Sequence, residues 1–75
     1  MKQKKIKLTM PGDVKEFVIE AAKCKFDIDV FYNRVVVDAK SILGVMSLDL
    51  SNVLTVQFQG ENSSFERFLE KYAVA

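Results

Sequence analysis

The sequence predicts an α+β fold: a four-stranded antiparallel sheet with three helices on one face. Three observations carry the prediction. The strand-like segments are short and have one wet and one dry side, the pattern of an antiparallel sheet covered on a single face. Three other segments place apolar residues at helical spacing. The two kinds interleave in the order β-α-β-β-α-β-α over 75 residues, which is a single domain, 1–75.

The first strand is Lys4 to Thr9. Ile6, Leu8 and Met10 lie on one side and Lys5, Lys7 and Thr9 on the other. Pro11-Gly12 ends it, and Asp13 follows as a candidate N-cap for a helix whose apolar face is Val14, Phe17, Val18 and Ala21. Phe26, Ile28 and Val30 alternate with Asp27 and Asp29 to give the second strand. Asn33-Arg34 fits a tight turn, because asparagine tolerates positive φ. Val35-Val36-Val37 is strongly β-prone and gives the third strand. A short helix opens at Ser41 and runs towards Leu48. The fourth strand spans about Val53 to Gln59, with Leu54, Val56 and Phe58 facing one way, and Gly60 ends it. Ser63-Ser64-Phe65-Glu66 then spells a capping box, and Phe65, Phe68, Leu69 and Tyr72 repeat at i, i+3, i+4 and i+7. That helix must dock its apolar face.

Composition excludes several functions. The apolar fraction of 49% suits a folded domain rather than a disordered one. Eleven basic and ten acidic side chains leave a net charge of +1, which gives no electrostatic case for nucleic acid. No apolar run approaches membrane-spanning length, and the basic start lacks the apolar stretch of a secretory signal. A single cysteine, Cys24, suits a reducing, cytoplasmic setting. With no histidine, a Ser-His-Asp or Cys-His relay is impossible. Zinc sites lose their usual ligands, and no phosphate-binding glycine loop is spelled. No cofactor or metal is therefore expected, and no enzymatic activity. Two minor candidates remain. Asp27 and Asp29 form either an acid/base pair or, the favoured reading, a solvated strand face. Cys24 is either a thiol activated by Lys23 and Lys25 or, again favoured, a half-buried structural residue.

The run Ala39-Lys40-Ser41-Ile42-Leu43-Gly44-Val45-Met46-Ser47-Leu48 carries the most information. Ser41 is a good N-cap. A phosphate there would meet unpaired N–H groups and the positive end of the helix, and would add about two negative charges. The following residues are apolar on more than one face. A stripe such as Ile42, Val45 and Leu48 is expected to pack on the sheet, leaving Leu43 and Met46 partly exposed. Gly44 inside a helix costs about 1 kcal/mol relative to alanine, which close packing would justify. A partner-docking helix and a wholly buried helix with an ordinary cap fit these residues equally well.

The same run, with Asp38 before it, resembles the regulatory-serine motif of HPr, the small phosphocarrier of the sugar phosphotransferase system, spelled near x-A-K-S-I-x-G-V-M-S-L. Length and element order agree over nearly the whole chain. The resemblance implies the HPr fold, an open-faced β-sandwich. It also implies a regulatory serine at Ser41, the target of an ATP-dependent HPr kinase/phosphorylase in many Gram-positive bacteria. Partner docking, by enzymes of the phosphotransferase system or a transcription regulator, falls at Ile42, Leu43 and Met46, with Ser47 beside them.

The family's histidine loop, G-[IL]-H-A-R-P-A, is not kept. Gly12-Asp13-Val14-Lys15-Glu16 stands in its place. If Gly12 is the family glycine, Val14 replaces the histidine and Glu16 the arginine. If the loop is aligned backward from the second strand, Gly12 itself falls at the histidine. Neither alignment supplies an imidazole, so histidine phosphoryl relay is excluded. In this the chain is similar to catabolite-repression HPr homologues, which also lack the histidine. The expected function is a non-catalytic, HPr-like regulatory protein switched at Ser41. The alternative is an interaction module that keeps the fold without phosphorylation.

Overall fold

The computed structural model describes residues 1–74. Its elements run β1 (Lys2–Ile6), α1 (Pro11–Ala22), β2 (Ile28–Tyr32), β3 (Val35–Asp38), α2 (Ile42–Met46), β4 (Leu54–Phe58) and α3 (Ser63–Glu70). The strands form one antiparallel sheet in the order β1-β4-β2-β3. The expected architecture is present, element for element.

Register sorts the side chains between the two faces. Ile6 pairs with Leu54, Val30 with both Val56 and Val37, and Ile28 with Phe58. These residues point to the helix side, and all but Val37 are buried. The three helices complete the core with Val14, Phe17 and Ala21 from α1, Val45 from α2, and Phe65, Phe68 and Leu69 from α3. The Phe65 ring joins three elements: it lies 6.2 Å from Phe17 of α1 and stands edge-on to Phe58 of β4 at 5.5 Å. Such aromatic contacts add to the area that the rings bury. Lys2 and Lys4 fall on the same face at the sheet edge. Their stems reach over the core to α3, where Lys2 pairs with Glu66 at 3.1 Å and Lys4 with Glu70.

Several boundaries differ from expectation, each for a local reason. β1 starts at Lys2 and ends at Ile6, so Met10 leaves the strand and stands exposed at the head of α1. Asp13 is not the N-cap. The helix begins at Pro11, because proline's fixed φ suits the first helical position, and Met10 is the cap residue. Asp13 caps from within the first turn instead, accepting the Met10 N–H at 3.1 Å. Its other carboxylate oxygen accepts the Tyr72 hydroxyl at 3.1 Å, which ties the start of α1 to the end of α3. Burial, then this bond, pushes the Tyr72 hydroxyl pKa up.

In α3 the cap is Asn62, one residue before the expected serine. Its side chain accepts the Phe65 N–H at 2.9 Å. The β2–β3 turn is as read, with Asn33 at φ 55°. Gly60 allows a close approach, since a Cβ there would overlap the Phe26 ring.

Candidate functional site

β3 delivers the chain into α2 through Asp38, whose carboxylate accepts the Lys40 N–H at 2.9 Å and whose carbonyl accepts the Ser41 N–H at 3.0 Å. This turn places Ser41 at the head of α2 with extended backbone, φ −104° and ψ 112°. The Ser41 Oγ accepts the Gly44 N–H at 3.1 Å. The serine is exposed and is the N-cap, as its position predicted. At the other end, the Ser47 hydroxyl donates to the Gly44 carbonyl at 2.6 Å. The Ser41 hydroxyl thus satisfies an amide that the first turn leaves unpaired, while the Ser47 hydroxyl adds to the Gly44 carbonyl's bond with the Ser47 N–H at 3.1 Å.

Gly44 earns its place through packing. A Cβ there would sit 3.3 Å from both the Ser41 Oγ and the Val37 Cβ. The glycine lets α2 lie close against β3 while keeping the cap bond intact.

The apolar residues of α2 divide unequally. Val45 is fully buried, and Leu48, from the turn after the helix, is nearly so. Leu43 is 80% exposed, Met46 59% and Ile42 41%. Ile42 was expected in the packing stripe and instead joins the surface. The helix ends at Met46, so the stripe is too short to carry its first residue inward. Ser41, Ile42, Leu43, Met46 and Ser47 are therefore exposed together at one short helix.

A groove of about 450 Å³ lies between the β1–α1 connection and α2, walled by Leu8, Met10, Pro11, Val14, Met46 and Leu50. The Lys7 ammonium bridges its rim to the Ser51 carbonyl. Asp49 accepts the Ser51 hydroxyl at 2.6 Å and its amide at 3.1 Å, and these bonds hold its carboxyl below the usual range. The groove is apolar, and its one cation is engaged. Met10, 65% exposed above it, escaped the sequence reading. Pro11 is the signal that would have placed it at the helix head.

The residues of the histidine-loop segment are scattered by the fold. Val14 is 3% exposed and belongs to the core. Gly12 is exposed on the first turn with open space about it. Asp13 is engaged as the internal cap, and Glu16 is exposed on α1. No residue here offers an imidazole. Asp27 and Asp29 are exposed. Cys24 is buried, with its thiol directed at the Glu20 carbonyl at 3.7 Å. Burial pushes its pKa up despite nearby Lys40, so activation by neighbouring lysines is set aside.

Residues 13–73 match the family described as the PTS HPr component phosphorylation site. The chain belongs to the HPr family. The match begins at Asp13, inside the segment that departs from the family's histidine loop. HPr-C-His from Thermoanaerobacter tengcongensis is 29% identical, with a TM-score of 0.78 over 95% of this chain and 89% of that one. The HPr phosphocarrier of Bacillus anthracis is 24% identical, with a TM-score of 0.73 over 95% of each chain. A histidine-containing phosphocarrier from Mycoplasma is 19% identical, with a TM-score of 0.65 over 92% of this chain and 82% of that one. The last two likenesses speak for the HPr fold. No curated protein matches the sequence significantly. The chain is thus an HPr-like member of a phosphotransferase-system family, and among its described residues no helix is long and apolar enough to cross a membrane.

Proposed function

We propose that this chain is a non-catalytic regulatory member of the HPr family. It works by docking protein partners on the exposed face of α2, and Ser41 is its phosphorylation switch. One observation carries the reading: Ile42, Leu43 and Met46 lie exposed beside an exposed N-cap serine, while Gly12-Asp13-Val14, the segment where relay would need an imidazole, supplies none. Exposed apolar residues grouped around a methionine mark an interaction surface. A phosphate on the Ser41 Oγ would face the Gly44 N–H that already binds that oxygen, so it would change the charge of the docking face without unfolding the helix. Suitable partners are an HPr kinase/phosphorylase, and a transcription regulator or enzyme of the phosphotransferase system. The reading carries a cytoplasmic location with it.

Partner capture by three proteins tests the proposal. Wild type, Ser41→Asp and Ser41→Ala should differ, with the aspartate form gaining or losing a partner relative to the other two. Identical capture by all three would overturn the switch. That result would favour an interaction module in which Ser41 only caps α2, a reading the cap bond itself supports.

A further inference from the structure

We propose that the free edge of β3 pairs with β3 of a second copy, joining two sheets across a two-fold axis at Val36. This inference does not rest on the α2 docking face, although Asp38, which it uses, also holds the turn into α2.

The two edges of the sheet are treated differently. β1 carries Lys2, Lys4 and Lys5, and the C-terminal segment lies along it: Lys7 N–H donates to the Tyr72 carbonyl at 2.9 Å and Val74 N–H to the Lys5 carbonyl at 3.0 Å. Lysines and a covering segment are the usual means of blocking an edge. β3 has neither. Its strand is Val35-Val36-Val37-Asp38, with no lysine or proline, and Val36 is 60% exposed and Val35 51%.

Hydrogen bonding fixes which groups are free. Val35 pairs with Tyr32 across a two-residue turn, and Ala39 N–H donates to the Ile28 carbonyl at 2.9 Å. Bonds alternate along an antiparallel ladder, so Val35, Val37 and Ala39 turn their backbone groups to β2. The Val36 N–H and C=O, with the Asp38 N–H, point away from the sheet.

These free groups allow one self-complementary antiparallel register. Val36 falls opposite the second copy's Val36 and exchanges both backbone bonds with it. Arg34 falls opposite the second copy's Asp38, and Asp38 opposite its Arg34. Asp38 shares the open face with Val36 and its β2 neighbour Phe31, and Arg34 is the turn residue that immediately precedes the strand. The charges at the ends of the valine run are thus arranged for an antiparallel copy of itself. A parallel copy would set like charges side by side.

Sedimentation equilibrium from about 10 µM to about 1 mM covers the range in which a small interface associates. Wild type should show a monomer–dimer equilibrium. Val36→Lys puts like charges together at the axis and should weaken it at least about tenfold, with an unchanged circular dichroism spectrum. Arg34→Asp and Asp38→Arg should each weaken self-association, because each sets like charges opposite one another. An equimolar mixture of those two variants restores both opposite-charge pairs and should dimerise. A wild type that stays monomeric throughout overturns the proposal. So does a dimer indifferent to Val36→Lys, whose contact would lie elsewhere, or a mixture that fails to pair. Protection of the Val36 amide from exchange only when another protein's strand is added would also overturn it.

Discussion

Ser41→Ala should destabilise the protein, and Ser41→Asp should leave its stability nearly unchanged. In α2 the first amide with a backbone partner inside the helix is Val45, bonded to the Ser41 carbonyl at 3.0 Å. The Gly44 amide depends on the Ser41 Oγ at 3.1 Å. Alanine removes that acceptor, and losing an N-cap serine costs about 1 kcal/mol. For a domain of this size the loss lowers Tm by about 4–8 °C. It moves the urea midpoint by about 1 M, given a slope near 1 kcal/mol per M. Aspartate caps as well as serine does, and its charge is favourable at a helix N-terminus. Ser41→Asp should therefore unfold within about 0.5 kcal/mol of wild type. Urea titration followed by circular dichroism measures all three. If Ser41→Ala matches wild type, the hydroxyl is not holding the helix. If Ser41→Asp falls as far as Ser41→Ala, the position does not accept an anion without loss of structure, and the reasoning behind the switch fails.

Other consequences follow from single contacts. Gly60→Ala drives a methyl group into the Phe26 ring, which stacks on Phe58 at 5.7 Å; it should cost about 1–3 kcal/mol in the same titration. The Lys2 ammonium holds Glu66 below the ordinary glutamate range, chiefly through their hydrogen bond. A depressed carboxyl pKa stabilises the fold above the unfolded value, about 4.3, and this contribution is lost as pH falls through the folded value. Glu66→Gln should flatten that acid limb, and an unchanged limb would count against the pair. Cys24 is buried with a raised pKa. A thiol reagent should modify it at least about tenfold more slowly in native protein than in urea, and equal rates would contradict its burial.

The sequence made legible those features that depend on repetition. β4 and α3 show theirs over a full element, and long-range packing only confirms it. The Asn33 turn and the Ser41 cap were legible because each depends on one side chain's chemistry. What escaped depends on ends and on partners distant in sequence. Asp13 looks like the cap because its carboxylate suits that role. The actual start at Pro11 follows from the backbone of one residue, and the Asp13–Tyr72 bond links positions that no local pattern connects. The Lys2 and Lys4 side chains reach α3 only because β1 pairs with β4. Helical spacing carried to Leu48 puts Ile42 inward, whereas α2 ends at Met46 and Leu48 is buried from the next turn. A five-residue helix has too few positions for its periodicity to decide an orientation.

The central claim is that partners dock on the exposed residues of α2 and act on Ser41. Leu43, 80% exposed, can be changed with little effect on stability, within about 0.5 kcal/mol. The most direct measurement is therefore the rate at which an HPr kinase with ATP modifies Ser41 in wild type and in Leu43→Glu, with the site mapped by mass spectrometry. The account predicts phosphate on Ser41 of the wild type, and a rate at least about tenfold lower for Leu43→Glu, the loss expected when a buried contact at an interface is removed. An unmodified Ser41, or equal rates for the two proteins, would contradict it.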